Sequence, residues 1–184
     1  MENIQRLIWL DLEMTGLDIE TCHIIEIAAI ITDVELNIVA ESNAIAIYQP
    51  DEIMANMNTW CQKTHQASGL IERIKESTTS VSEAEQAILD FITPHVAKNA
   101  SPLCGNSVWQ DRKFLAKYMP TLENYFHYRL FDVSAFKIAA ALWKPKLLHQ
   151  FKKQNNHLAL DDIRESISEM GFYRQHLLAE LNTK

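Results

Sequence analysis

Glycine and proline are scarce in this chain, four and five among 184 residues, which excludes collagen-like and low-complexity structure. Its three cysteines, Cys22, Cys61 and Cys104, are far apart and lack the paired spacing of a disulfide framework or thiolate zinc site. Apolar runs are short, as at Ile27 to Ile31, so no segment has the length needed to cross a bilayer. The opening Met-Glu-Asn-Ile-Gln-Arg has no basic stretch followed by a long hydrophobic core, so no secretion signal is expected. Together these absences predict a soluble protein in a reducing, cytoplasmic setting. Basic residues are also in deficit: 17 Lys and Arg stand against 24 Asp and Glu, for a net charge of −7. Proteins that track long nucleic acids collect cations to displace counterions from many phosphates, so any nucleic-acid substrate here is expected to be small.

What remains is ordinary globular composition, 47% apolar and 22% charged, in a length that suits one domain over residues 1–184. Leu7-Ile8-Trp9-Leu10 reads as a buried strand that ends at an acid and turns at Thr15-Gly16. Residues 24–34 and 38–48 are rich in Ile, Val and Ala and are joined by Glu35-Leu36-Asn37, predicting an antiparallel hairpin. Past Pro50 the period becomes helical. Ser80-Val81-Ser82-Glu83 is a capping-box start for a helix whose stripe is Ala84, Ala87, Ile88, Phe91 and Ile92. Leu103-Cys104 predicts a short strand, Ser107 with Gln110 a second capping box for a helix to about Tyr118, and Arg129-Leu130-Phe131 the last strand. Asp132 or Ser134 then caps a helix containing Phe136, Ala140 and Leu142, and a final helix is expected over about 159–181, with Gly171 as the point where it could break. Strands followed by alternating helices and strands give an α/β class: a mixed sheet flanked by helices.

Three acidic blocks stand out from this frame. Asp11 and Glu13, two apart on an extended chain, project from the same face and can share a hard divalent cation such as Mg²⁺, which prefers oxygen ligands. Asp111 falls on the apolar side of its helix with Val108, Leu115 and Tyr118, where an acid needs a partner. In the last helix Leu160, Ile163, Ile167 and Met170 define the inward stripe; at 100° per residue Asp162 flanks it and Asp161 points away. Asp162 is therefore the ligand candidate, and Asp161 faces water and favours the helix N-terminus. His157, about one turn before Asp162, has the side chain best suited to exchange a proton near neutral pH.

In order and spacing these blocks, Asp-X-Glu, then Asp, then His-X4-Asp, resemble the exonuclease superfamily built on four acids and a histidine. Within it the chain is most similar to the oligoribonuclease family, through Trp9-Leu10-Asp11-Leu12-Glu13-Met14-Thr15-Gly16-Leu17, Cys104-Gly105-Asn106-Ser107, Tyr125-Phe126-His127-Tyr128-Arg129, Asp132-Val133-Ser134, Trp143-Lys144-Pro145 and Asp161-Asp162-Ile163-Arg164-Glu165-Ser166. Phe131 and Leu147-Leu148-His149 depart from the family pattern without touching its catalytic positions. The resemblance implies a ribonuclease H-like fold and a homodimer that removes 5′-mononucleotides from the 3′ ends of short RNA fragments, dinucleotides included. It further implies two divalent metal ions, Mg²⁺ or Mn²⁺, with Asp11, Glu13, Asp111 and Asp162 as ligands and His157 as the base. Leu17 and Trp60 would contact bases. Ser107, Arg129 and Ser134, with His65 and Tyr128 from the partner subunit, would cap the substrate's 5′ phosphate, Tyr128 joining His157 among the groups acting at the site. The competing readings are a proofreading-type DNA exonuclease and a catalytically idle nucleic-acid-binding module on the same fold. The charge of −7 and the phosphate-cap residues speak against the first, and the complete acid and histidine set against the second.

Overall fold

The computed structural model describes residues 4–151 and 158–178. In chain order the elements are β1 (Arg6–Met14), β2 (Ile24–Asp33), β3 (Ile38–Glu41), β4 (Ile45–Ala46), α1 (Asp51–Ala55), α2 (Thr59–Ala67), α3 (Leu70–Glu76), α4 (Val81–Ile92), β5 (Pro102–Gly105), α5 (Trp109–Tyr118), α6 (Pro120–Glu123), β6 (His127–Asp132), α7 (Val133–Trp143), a 3₁₀ turn (Pro145–His149) and α8 (Ala159–His176). The strands form one sheet in the order β3-β2-β1-β5-β6, with β4 also pairing β2. β1 runs antiparallel to β2 and parallel to β5, which runs parallel to β6, so the sheet is mixed.

β2 is buried along almost its whole length because helices cover both faces of the sheet, and its sequence Ile-Ile-Glu-Ile-Ala-Ala-Ile-Ile is correspondingly apolar rather than alternating. β1 shows how the two faces divide. Ile8, Leu10 and Leu12 join Ile88 and Phe114 in the core under α4 and α5, while Leu7 and Trp9 join Ile163, Ile167, Met170 and Tyr173 of α8. Trp9 completes its burial by donating its indole N–H to Thr32 Oγ1 at 3.0 Å. By the same alternation Asp11 and Glu13 extend the α8 row beyond its last apolar member. The strand thus carries both acids within it, rather than ending where the first one begins.

Other differences from the sequence expectation have local causes. The second arm of the hairpin is split into β3 and β4, where Ser42 Oγ accepts the Ala29 N–H at 2.9 Å in place of a ladder bond. The capping box forms at Ser80 and Glu83. It does not form at Ser107: α5 begins one residue later than that cap requires, with Val108 at its N-cap. Ser107 has φ +51 and Gln110 donates its side-chain amide to the Leu17 carbonyl at 2.6 Å, so both residues serve contacts outside the helix. α8 runs through Gly171 without a break. Among the described residues no helix is long and apolar enough to cross a membrane.

Candidate active site

The row of odd positions on β1 meets the first turn of α8 at one end of the sheet. There, carboxylate oxygens of Asp11, Glu13 and Asp162 lie within 4.8 Å of one another, all three side chains partly buried. β1 pairs β5 only as far as Trp9, where β5 reaches Cys104 and then bends away after Gly105. A Cβ on Gly105 would stand 3.1 Å from the Leu10 carbonyl, so the absent side chain is what allows this close crossing. Beyond the crossing the Leu12 N–H has lost its strand partner, and Asp111 of α5 takes it at 3.1 Å. The fourth acid is thereby anchored to the peptide between the first two.

Burial and mutual repulsion act strongly here. Burial, then the charges of Asp111, Glu13, Asp162 and Glu26, holds Asp11 well above the usual carboxylate range. Burial, then Asp162, Glu26 and Asp111, pushes Glu13 up to about 8. Asp111 is raised to about 7 by burial, although the backbone N–H groups of Leu12 and Asp111 itself pull the other way. Among the described residues no lysine or arginine forms a salt bridge with Asp11 or Glu13. Converging carboxylates that resist ionisation without a counter-charge, offering oxygen donors only, fit a hard divalent cation. Asp161 takes no part in the cluster: it pairs with Arg164 at 3.0 Å on the outer side of α8. His157 lies outside the described residues.

His65, expected to reach the site from a partner subunit, is 1% exposed, with Nε2 3.2 Å from the Met14 carbonyl and Nδ1 4.0 Å from the Glu13 carboxylate. The cause is the register of α2. Cys61 and His65, one turn apart, form that helix's buried side, and Cys61 packs with Ile25 and Met57, which turns the imidazole toward the end of β1.

The remaining candidates fall in two groups. Leu17 and Trp60 are 71% and 61% exposed, so neither belongs to the core. The Leu17 carbonyl is held by Gln110, next to Asp111 on α5. Ser107 and Ser134 come together, their hydroxyl oxygens 3.0 Å apart, and both backbone N–H groups donate to Asp132 Oδ1 at 2.9 Å. Asp132 is thus the N-cap of α7 and the clamp that draws the β5–α5 loop to it. Arg129 and Tyr128 are exposed on β6, with the guanidinium carbon 5.2 Å from the Tyr128 ring and His127 stacked on that ring at 4.4 Å.

Two residues without an assigned role in the sequence reading connect these groups. The Asn106 carboxamide accepts from Ser134 Oγ at 3.2 Å and donates to Ser166 Oγ at 2.9 Å and Glu169 Oε2 at 3.0 Å, linking the serine pair to α8. Glu26 is fully buried on β2; an isolated acid inside Ile24-Ile25-Glu26-Ile27 is the signal that marked it.

Acids converge at the end of the central strand of this mixed sheet in an arrangement that fits a divalent cation, and the chain belongs to the exonuclease family, whose model matches residues 8–170. Its full-length likeness within that family is to oligoribonucleases. It is 59% identical to that of Francisella tularensis subsp. holarctica (strain OSU18) over 179 residues, 97% of this chain and 99% of the relative. It is also 59% identical to that of Haemophilus influenzae (strain Rd) over 174 residues, 95% and 96% of the two chains. Among solved structures, the zinc-bound form of E. coli exonuclease I with single-stranded DNA superposes with a TM-score of 0.75 at 14% identity, covering 98% of this chain and 42% of that one. The same enzyme with a dT13 oligonucleotide gives 0.74 at 15%, covering 97% and 43%. At such identity the likeness speaks to the fold alone.

Proposed function

We propose that this protein is a 3′-to-5′ exoribonuclease that hydrolyses short oligoribonucleotides, dinucleotides foremost, to 5′-mononucleotides in the cytoplasm. The observation that carries the reading is the convergence of Asp11, Glu13 and Asp162 in a chain 59% identical to oligoribonucleases. Asp11, Glu13 and Asp162 would hold one divalent cation, Mg²⁺ or Mn²⁺, and Asp11 with Asp111 a second. Bound there, the pair supplies positive charge against the scissile phosphate and the departing 3′ oxygen and acidifies the attacking water.

The chain's own groups do the rest. Leu17 and Trp60, apolar and exposed beside the acids' elements, offer faces for bases to pack on. Ser107, Ser134 and Arg129 supply hydroxyl and guanidinium donors for a terminal 5′ phosphate, and a cap at a fixed distance from the acids favours a two-residue substrate. His157 accepts the proton of the attacking water. His157→Ala is expected to lower turnover by roughly 10²–10⁴-fold with little change in substrate affinity. Unchanged turnover between pH 6 and 8 would remove it from that role.

A homodimer fits the same surface. Ile138 and Leu142, one turn apart on α7, are 62% and 70% exposed, and Trp143 beside them 74%. β6, next to this helix, is a sheet edge. An apolar face of this kind on a small protein marks an interaction surface. In this arrangement Tyr128 of β6 and His65 act across the interface.

Comparing rates of mononucleotide release from a 5′-phosphorylated RNA dinucleotide, a longer RNA and single-stranded DNA tests the reading. The dinucleotide is expected to react fastest, and chelation to stop all turnover. Faster release from DNA would favour a proofreading-type enzyme.

A further inference from the structure

The pairing of β1 with β2 sets Glu13 directly opposite Glu26. Side chains of directly paired residues share a face of the sheet, where like charges oppose one another. The fold tolerates this because Glu26 is engaged elsewhere. Its Oε1 meets Arg73 Nη1 of α3 at 2.5 Å, and its Oε2 accepts the backbone N–H of Ala159, the first residue of α8, at 3.1 Å. That second contact fills a gap in the helix. Leu158 occupies the N-cap position and has no side-chain acceptor, so the carboxylate that caps α8 comes from the neighbouring strand. The Asp162 N–H closes on the Leu158 carbonyl at 3.0 Å, joining the capped end and Asp162 in a single turn.

We propose that Glu26, backed by Arg73, is a positioning residue: it fixes the start of α8 and so holds Asp162 within cation-sharing distance of Asp11 and Glu13. Of two carboxylates side by side on the sheet, one is neutralised to orient the site and the other is left to bind. This role rests on the cation reading of the acid cluster. It is separate from the groups that touch substrate.

Isothermal titration of the full-length, metal-free protein with Mn²⁺ tests it. Glu26→Gln keeps the side-chain shape and one acceptor for Ala159 but loses the ionic grip on Arg73. The expected result is a folded variant whose Mn²⁺ dissociation constant rises roughly 10–100-fold, the usual consequence of altering a group that orients a ligand. Dinucleotide turnover should then recover toward the wild-type kcat as Mn²⁺ is raised. A purely structural role would lower the melting temperature and leave Mn²⁺ affinity unchanged, and that outcome overturns the proposal. If Glu26→Gln does not fold, Arg73→Lys keeps a cation but shortens its reach; a severalfold rise in the Mn²⁺ dissociation constant supports the role, and no rise overturns it. Wild-type protein that binds no Mn²⁺ overturns this proposal together with the cation reading, whereas wild-type binding matched by an equally tight Glu26→Gln overturns the positioning role alone.

Discussion

Asp11→Asn is expected to reduce mononucleotide release from a dinucleotide by on the order of 10³-fold or more, while making the metal-free protein more stable at neutral pH. The loss of activity follows from position: Asp11 is the acid proposed to touch both cations, and its oxygens sit between Glu13, Asp111 and Asp162 in the field that raises its pKa. The gain in stability follows from the sign of that shift. A carboxyl whose pKa is raised on folding holds a proton in the native state that the unfolded chain has already released, so stability falls as pH rises between the two values. For Glu13 that window runs from an ordinary 4.5 to about 8, and for Asp111 from 3.8 to about 7. Asn at position 11 does not titrate, so the variant loses the share of that pH dependence that comes from Asp11's own raised pKa. Chemical denaturation of metal-free protein at pH 5 and pH 8 measures this: wild type should be weaker at pH 8, and the difference should shrink in Asp11→Asn. Turnover retained by the variant in Mg²⁺ would sink the cation assignment. A larger pH dependence would contradict the electrostatic account.

The second large effect is a contrast between adjacent residues. Asp162→Ala should cost on the order of 10²-fold or more in turnover, and Asp161→Ala no more than about twofold. Both acids occupy the first turn of α8 and favour its dipole alike, so their loss should affect helix stability similarly. They differ in where they point. Asp162 joins the cluster, whereas Asp161 forms a half-exposed pair with Arg164, which also holds Glu41 at 2.5 Å. Exposed pairs of this kind contribute about 0–1 kcal/mol. Parallel melting curves and dinucleotide assays on the two variants separate dipole from ligand. Equal losses of activity would mean that proximity to the helix end, rather than orientation, is what matters.

Local patterns in the sequence carried much of this arrangement. The alternation of Trp9, Asp11 and Glu13 put both acids on one face, and the 100° helical advance distinguished Asp162 from Asp161 without reference to any other element. Ser80 and Glu83 specify their cap because donor and acceptor lie within one turn. Where the decisive partner is remote in sequence, the same reasoning fails. Ser107 and Gln110 have the spacing of a capping box, but Ser107 is held by Ser134 and Asp132, and Gln110 by Leu17. The burial of His65 beside Met14 depends on the packing of Cys61 against Ile25, which sets the way α2 faces. Glu26 shows only as a charge in an apolar strand. Its contacts with Arg73 and Ala159 span 47 and 133 residues, which no periodicity encodes.

The unbroken passage of α8 through Gly171 has a mechanical side. Asp162 and Tyr173 are eleven residues apart on one helix, a distance of about 16 Å at 1.5 Å per residue. Ile163, Ile167, Met170 and Tyr173 bed that helix into the sheet along its whole length, so the Asp162 carboxylate sits at the tip of a stiff lever clamped from behind. Its aim is calibrated by packing buried in the core.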